Sequence, residues 1–493
     1  MHRARDANVC HIIKFLVVGL SLLALVGFSL SCSHKRHPDY PVVGRDSLKD
    51  IAVFEDHSDA LLRWMKKGIR GAVLINIDTH DDIRWIPDEK IQKLYNLYQK
   101  KAWTEIDRAD SLGDDSLYGI GNFIYAAARL GIVRELYWVI PFAHFSTNNP
   151  LQRVKNFLKT YGFPEESIRS FAYIDGCVRG NFYGIPVSVC GIEHLPEIRE
   201  PVLLSFDIDY FEPMAFEYGV DRATSLRILM GAVFQRAYRA KDTVVAFSVN
   251  GGYLRDYHRW MGEAVIAMLK EPRLLSNPRP LWHTLAEIDA LVKRGDTKMA
   301  ETIIQTAMDR FGQKKALRAY LSRVYFQEGR PSEAYTTAKA LCEEDRSYCY
   351  LLVGLGIELS QKDRPLEAER FLKFAYQRNP DIFYGQAHLG NAFRHKGMFQ
   401  KAIEYYKLFK ARNGSFPADF FIGQTYLLMG NTSMAQRYFD LGIEGLKKNP
   451  YVDVKNKEVS EALRAAVRFY EKKGLRTKAE AIRSDKRISD LLQ

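Results

Sequence analysis

The sequence predicts two architectures in one chain: a three-layer α/β region built on a parallel sheet, then an all-α solenoid. Three observations carry this. Apolar runs of strand length alternate with helix-like stretches from about 42 to 268. Pro272, Pro278 and Pro280 then interrupt the pattern. Beyond them a Gly or Asp followed five residues later by Ala recurs at nearly constant spacing. A length of 493 residues exceeds one ordinary core, so more than one domain is expected. The 47% hydrophobic and 26% charged content is that of globular protein.

In the first part, the strand-like runs are 72–77, 136–140, 187–190, 202–206 and 244–249. Helical stretches at 59–67, 122–130 and 154–161 separate them. Continuous apolar strands alternating with helices imply a parallel sheet buried on both faces. Ligands of such sheets sit beyond the carboxyl ends of the strands. Asp78 and Asp207 fall at two of those ends. A carboxylate there is costly to bury unless a cation accompanies it.

The repeat in the second part reads Gly295…Ala300, Gly329…Ala334, Asp363…Ala368, Gly397…Ala402, Gly430…Ala435 and Gly474…Ala479. The Ala-to-Ala steps are 34, 34, 34, 33 and 44. Gly closes the first helix of each hairpin, and Ala lets the second pack closely. A period near 34 residues is the signature of tetratricopeptide repeats. The long last step predicts an insertion near 449–457. Such arrays offer a concave face to protein partners.

At the N-terminus, Arg3, Arg5 and Lys14 precede an apolar run at 15–28 that ends in Ser29-Leu30-Ser31-Cys32. This is the layout of a signal peptide, and the run is short for a membrane span. A Cys directly after a small residue resembles the lipobox of bacterial lipoproteins, although Ser29 stands where Leu is usual. The resemblance implies lipidation at Cys32, export, and anchoring in the bacterial cell envelope. Ser33 after the Cys implies the outer membrane. Four further cysteines, Cys177, Cys190, Cys342 and Cys349, are either buried thiols or disulfides pairing neighbours in sequence. The net charge of +12 comes from Lys and Arg scattered among Glu and Asp in the helical half. That pattern is a solvated surface, and no nucleic-acid partner is expected.

The chemistry-bearing motifs are Asp56-His57-Ser58, then Asp78-Thr79-His80-Asp81-Asp82, then Ser205-Phe206-Asp207-Ile208-Asp209. They resemble, in order and approximate spacing, the metal motifs of the arginase and histone-deacetylase superfamily. Gly121-Asn122-Phe123-Ile124 and Tyr137-Trp138-Val139-Ile140-Pro141 resemble an arginase-fold family of uncharacterised activity. The resemblance implies two divalent ions, manganese first, with zinc or iron as alternatives. His57, Asp78, Asp82 and Asp207 would hold one, and His80, Asp78, Asp207 and Asp209 the other. Oxygen and imidazole donors without thiolate suit those metals on chemical grounds as well.

Two departures narrow the activity. The proton-shuttling His of arginases is replaced by Ile124, and Ser248 stands where arginases hold the guanidinium with Glu. Free arginine is therefore not the expected substrate. Gly251-Gly252-Tyr253 resembles the deacetylase loop whose Tyr stabilises an oxyanion, but the paired His of deacetylases has no match. Tyr253 and His144 are the candidate catalytic groups, with His194, Asp81 and Glu212 as further proton-transfer candidates. Asn122, Ser248 and Asn250 are candidate substrate-binding residues. The expectation is a hydrolase that cuts an amide or amidine C–N bond with a hydroxide activated by two metals. Its substrate would be a small molecule or acyl-amine, and a protein partner would bind the repeats. The rival expectation is a catalytically idle domain on a repeat scaffold in the cell envelope. The predicted segments are 1–31 signal peptide, 32–41 tether, 42–270 arginase/deacetylase-like metal domain, 271–282 proline-rich linker and 283–493 repeats.

Overall fold

The computed structural model describes residues 40–143, 145, 148–160, 163–250, 252–448 and 457–485. The predicted signal segment, the lipidation candidate Cys32, the candidate His144 and all but the last residue of the predicted 449–457 insertion lie outside them. Among the described residues no helix is long and apolar enough to cross a membrane.

Eight strands form one sheet: β1 Ile51–Phe54, β2 Ala72–Ile77, β3 Val133–Ile140, β4 Ala172–Ile174, β5 Cys177–Phe182, β6 Ile185–Gly191, β7 Val202–Asp207 and β8 Ala240–Ala246. Their spatial order is β1-β8-β7-β2-β3-β6-β5-β4. The six strands from β1 to β6 in that order pair in parallel. β5 and β4 pair antiparallel at the far edge, so the sheet is mixed rather than wholly parallel as expected. Every residue of β2 and of β7 is buried, as their apolar runs require.

Side chains alternate across the sheet. On one face Val73, Ile75, Leu204, Phe206 and Val245 pack with the helices Arg222–Arg236 and Trp260–Lys270. On the other, Leu74, Leu203 and Val244 pack with Asp59–Lys66 and Phe123–Arg129. This gives the expected helix–sheet–helix layering.

The second half is an array of helical hairpins running from Pro280–Arg294 to Arg476–Arg483. Gly295, Gly329, Asp363, Gly397, Gly430 and Gly474 all have positive φ at the turns. Ala300, Ala334, Ala368, Ala402 and Ala435 are fully buried, and Ala479 nearly so. The left-handed turn and the close helix approach therefore coincide with the repeat read from sequence.

The expected linker is a correction. Pro272–Leu275 forms a short 3₁₀ helix with Leu274 buried, and the first array helix already starts at Pro280. Tyr40–Gln493 is one compact unit, with a single hydrophobic core running from one sheet face into the hairpins. A buried ion cluster sits at the junction. Arg222 donates to Asp289 at 2.9 Å, His258 Nε2 lies 2.7 Å from the same carboxylate, and Arg222 also pairs with Glu212. Disulfides join Cys177 to Cys190, partners across β5 and β6, and Cys342 to Cys349.

Candidate metal centre

Parallel strands deliver the candidate ligands to one end of the sheet. β2 and β7 are neighbours with Ile77 opposite Phe206, so Asp78 and Asp207 emerge side by side. β1 lies beyond β8 and leads into the turn that carries His57. Three distant stretches of sequence therefore meet in space.

Within the cluster, Asp78 Oδ2, Asp82 Oδ2 and Asp207 Oδ2 lie 3.1, 3.2 and 3.3 Å from His57 Nδ1. His80 Nδ1 lies 2.9 Å from Asp209 Oδ2 and 3.7 Å from Asp78 Oδ1. Two ligand groups result, His57–Asp78–Asp82 and Asp78–His80–Asp209, with Asp78 common to both. The first group is buried, with Asp82 at the cavity wall, while the His80 side chain is 47% exposed and opens the second to the same cavity. Asp207 belongs with the first group by its approach to His57, and its Oδ1 accepts from the Asp209 backbone at 3.1 Å.

Three of the ligands, His57, Asp78 and Asp207, are held from behind. His57 Nε2 meets Ser205 Oγ at 2.7 Å, which leaves Nδ1 facing the carboxylates. Asn76 donates to Asp78 Oδ2 at 3.1 Å and the His80 backbone donates to Oδ1 at 2.7 Å. Ser248 Oγ donates to Asp207 Oδ2 at 2.6 Å. Outer partners of this kind fix ligand orientation. Asp82 and Ser248 take positive φ, 47° and 48°. That backbone costs about 1–3 kcal/mol in a non-glycine residue and persists where the surroundings impose it.

The residues fit a cation. His57 Nδ1 and both Asp209 carboxylate oxygens are buried without a hydrogen-bond partner. The oxygens round His57 stand close but off the direction of a ring N–H, so a proton serves them poorly. The electrostatics agree. Burial, and then the Asp78 charge, push the Asp82 carboxyl well above its usual range. Burial, with Asp207 beside it, raises Asp209 to about 7. Burial works against the His57 cation, yet Asp207, Asp78 and Asp82 together hold its pKa well above the ordinary value. Four carboxylates and two imidazoles on opposing demands are relieved by divalent cations, and oxygen–nitrogen donors suit manganese, iron or zinc.

The other sequence candidates divide. Tyr253 sits at the cavity mouth, 47% exposed, its ring edge-on to His80 at 5.1 Å. Asn122 and Ser248 line the cavity, although Asn122 Oδ1 already accepts from Gly119 at 2.9 Å. Asn250 has another part: its amide donates to Asp381 O at 3.1 Å and accepts from Phe383 N at 3.3 Å, tying the loop after β8 to the helical array. Glu212 is taken up at the junction and Asp81 by Arg84. His194 is not among the cavity-lining residues. Sequence reasoning missed Ser205 and Asn76. The signal was present: each is polar within a buried strand, two places before a ligand and so on the same face of the sheet.

Comparison with known proteins is sparse. No family model matches the chain, and no curated protein does. Among solved structures, a MamA protein matches with 23% identity over 33% of this chain and 88% of that one, at a TM-score of 0.27. Pseudomonas aeruginosa PilF matches with 19% identity over 41% of this chain and 87% of that one, at 0.28. Both are tetratricopeptide-repeat proteins. At these scores the repeat region rests on its own hairpins, turns and buried alanines.

Proposed function

We propose that the sheet region is a metal-dependent hydrolase centre for an amide or amidine C–N bond. The observation that supports it best is the convergence of His57, Asp78, Asp82 and Asp207 within 3.3 Å of one ring nitrogen, beside the His80–Asp209 pair. Two divalent cations held by these groups would supply Lewis-acid activation of water and of the bond to be cut. The chain's own residues do the rest. Ser205, Asn76 and Ser248 orient the ligands. Tyr253, its ring edge-on to His80 at 5.1 Å, would donate to an oxyanion forming near His80. Ser248 brings no negative charge, which disfavours a guanidinium substrate. The test is hydrolysis of acylated amines, amidines and guanidino compounds by the full chain and by Asp78→Asn. The reading requires turnover of one of the first two classes, abolished by the substitution. Turnover that survives Asp78→Asn removes it.

The second reading is a scaffold whose sheet region is idle. The hairpin array favours it, since stacked helical repeats present extended surfaces to protein partners. Metal-free protein that still binds an envelope partner through the array would support this reading over the first. The proposed lipid anchor at Cys32 is tested separately, by labelled palmitate incorporation that Cys32→Ala abolishes.

A further inference from the structure

The ligand groups open into a cavity of about 310 Å³, and part of its wall does not come from the sheet region. Phe409, Phe416 and Pro417 of the helical array line it opposite His80, Asp209 and Tyr253. The array is fixed to both loops that bound the opening. On one side the Ser415 backbone donates to both oxygens of Asp114, at 3.0 and 3.1 Å. Gly414, at φ +83°, approaches so closely that a Cβ would lie 2.6 Å from Asp114 Oδ1. On the other side Asn250 holds Asp381 and Phe383, and a Cβ on Gly252 would stand 3.2 Å from the Tyr384 ring. A surface built only to receive another protein would not need to close over this opening.

The volume is at the small end of ligand pockets, roughly 300–1,000 Å³, so the occupant is a small molecule rather than a folded chain. Its chemistry follows from the walls. The floor is the ligand cluster. The array side is mainly apolar, with Phe409, Phe416, Pro417 and Val459 beside the polar Asn413 and Lys448. Three cationic side chains line the cavity, Arg84, Lys90 and Lys448. Arg84 is paired with Asp81 at 2.8 Å, and Lys448 stands exposed. Lys90 is half-buried, touches only the Asp114 carbonyl at 3.4 Å, and forms no ion pair among the described residues. Partial burial lowers its pKa, against the nearby charges of Asp114 and Asp115, which raise it.

We propose that the helical array is the specificity wall of this pocket, which takes a small amide or amidine with a short apolar arm and a terminal carboxylate. The arm lies along Phe409, Phe416 and Pro417, and the carboxylate meets Lys90. Which bond is cut rests on the hydrolase reading; the binding preference does not.

The test is calorimetric titration of the full chain with hexanoylglycine and with its neutral counterpart hexanoylglycinamide, with metal content measured on the same samples. The acid is expected to bind about tenfold more tightly than the amide, the worth of one charge-assisted hydrogen bond. Lys90→Met should bring the two within about twofold and leave the amide's affinity unchanged, since only the ion contact is lost. Phe409→Ala, at a half-buried position, should weaken both ligands about fivefold through lost apolar contact. Equal affinities in the parent, a preference that survives Lys90→Met, or no binding of either ligand overturns the proposal. Metal-free protein that keeps the preference removes the hydrolase reading alone. Metal-loaded protein without a preference removes the specificity wall alone.

Discussion

The sheet region and the helical array treat buried charge in opposite ways. In the array each buried ion has a side-chain partner of opposite sign: Asp419 with Lys410 at 2.7 Å, Arg323 with Glu358 at 2.6 Å, and Arg394 with Glu458 at 2.5 Å. At the end of the sheet, Asp78, Asp82, Asp207 and Asp209 are all buried around two imidazoles, and polar atoms remain without hydrogen bonds. These array pairs are met within the array, whereas Asp289 of its first helix turns to Arg222 and His258 across the junction. The sheet end sets four carboxylates against two imidazoles. Uncompensated charge is expensive to keep buried, and this difference is what supports the proposed cation site.

The junction between the two regions should be the most sensitive point of the fold. Asp289→Ala takes a buried carboxylate from both Arg222 and His258 and leaves them only the partly exposed Glu212, and a loss of about 3 kcal/mol in urea unfolding is expected. The pH dependence has a definite sign. Burial would raise the Asp289 pKa, but His258 and Arg222 outweigh it and hold the carboxyl below its ordinary value of 3.8. Its contribution is therefore present above that pH and is lost as pH falls towards the lower folded value. Unfolding curves should weaken on acidification below about pH 4 in the parent and less so in Asp289→Ala.

Chelation should act on one region only. Stripping bound metal from the parent is expected to cost about 2.7 kcal/mol if free metal stood at a hundred times its dissociation constant. Hydrogen exchange should accelerate in the segments after β1, β2, β7 and β8. Protection in the array helices should stay unchanged, and equal loss in both regions would break the comparison.

How much of this was legible beforehand depended on how local each signal is. Apolar runs without a polar break marked β2 and β7 because both faces of those strands are covered. β5 escaped notice because Arg179, Gly180 and Asn181 interrupt it, and β1 because it is only four residues at the sheet edge. The hairpins were legible because a positive-φ turn and a close helix contact each constrain one residue type. The ligands were legible as carboxylates just past apolar strands. The pocket wall was not: Phe409 and Phe416 look like ordinary hairpin core residues, and only tertiary packing brings them to the cavity that His80 and Asp209 also line. Asn250 likewise carried no mark of its bonds to a segment more than a hundred residues away.

Two smaller effects sharpen the contrast. Ser205→Ala frees His57 Nε2 and should lower metal affinity about 10–100-fold with little change in array stability, as read by titration against a competing chelator. Gly329→Ala, at φ 75° with open space around it, should cost only about 1 kcal/mol. That loss should appear in thermal unfolding and leave metal content untouched.

The most direct measurement is metal stoichiometry by elemental analysis of four proteins after reconstitution with manganese. The two ligand groups share Asp78, whereas Asp82 belongs to one and Asp209 to the other. The account predicts two equivalents in the parent, one each in Asp82→Asn and Asp209→Asn, and none in Asp78→Asn. A parent that binds no metal, or an Asp78→Asn protein that keeps both equivalents, contradicts it.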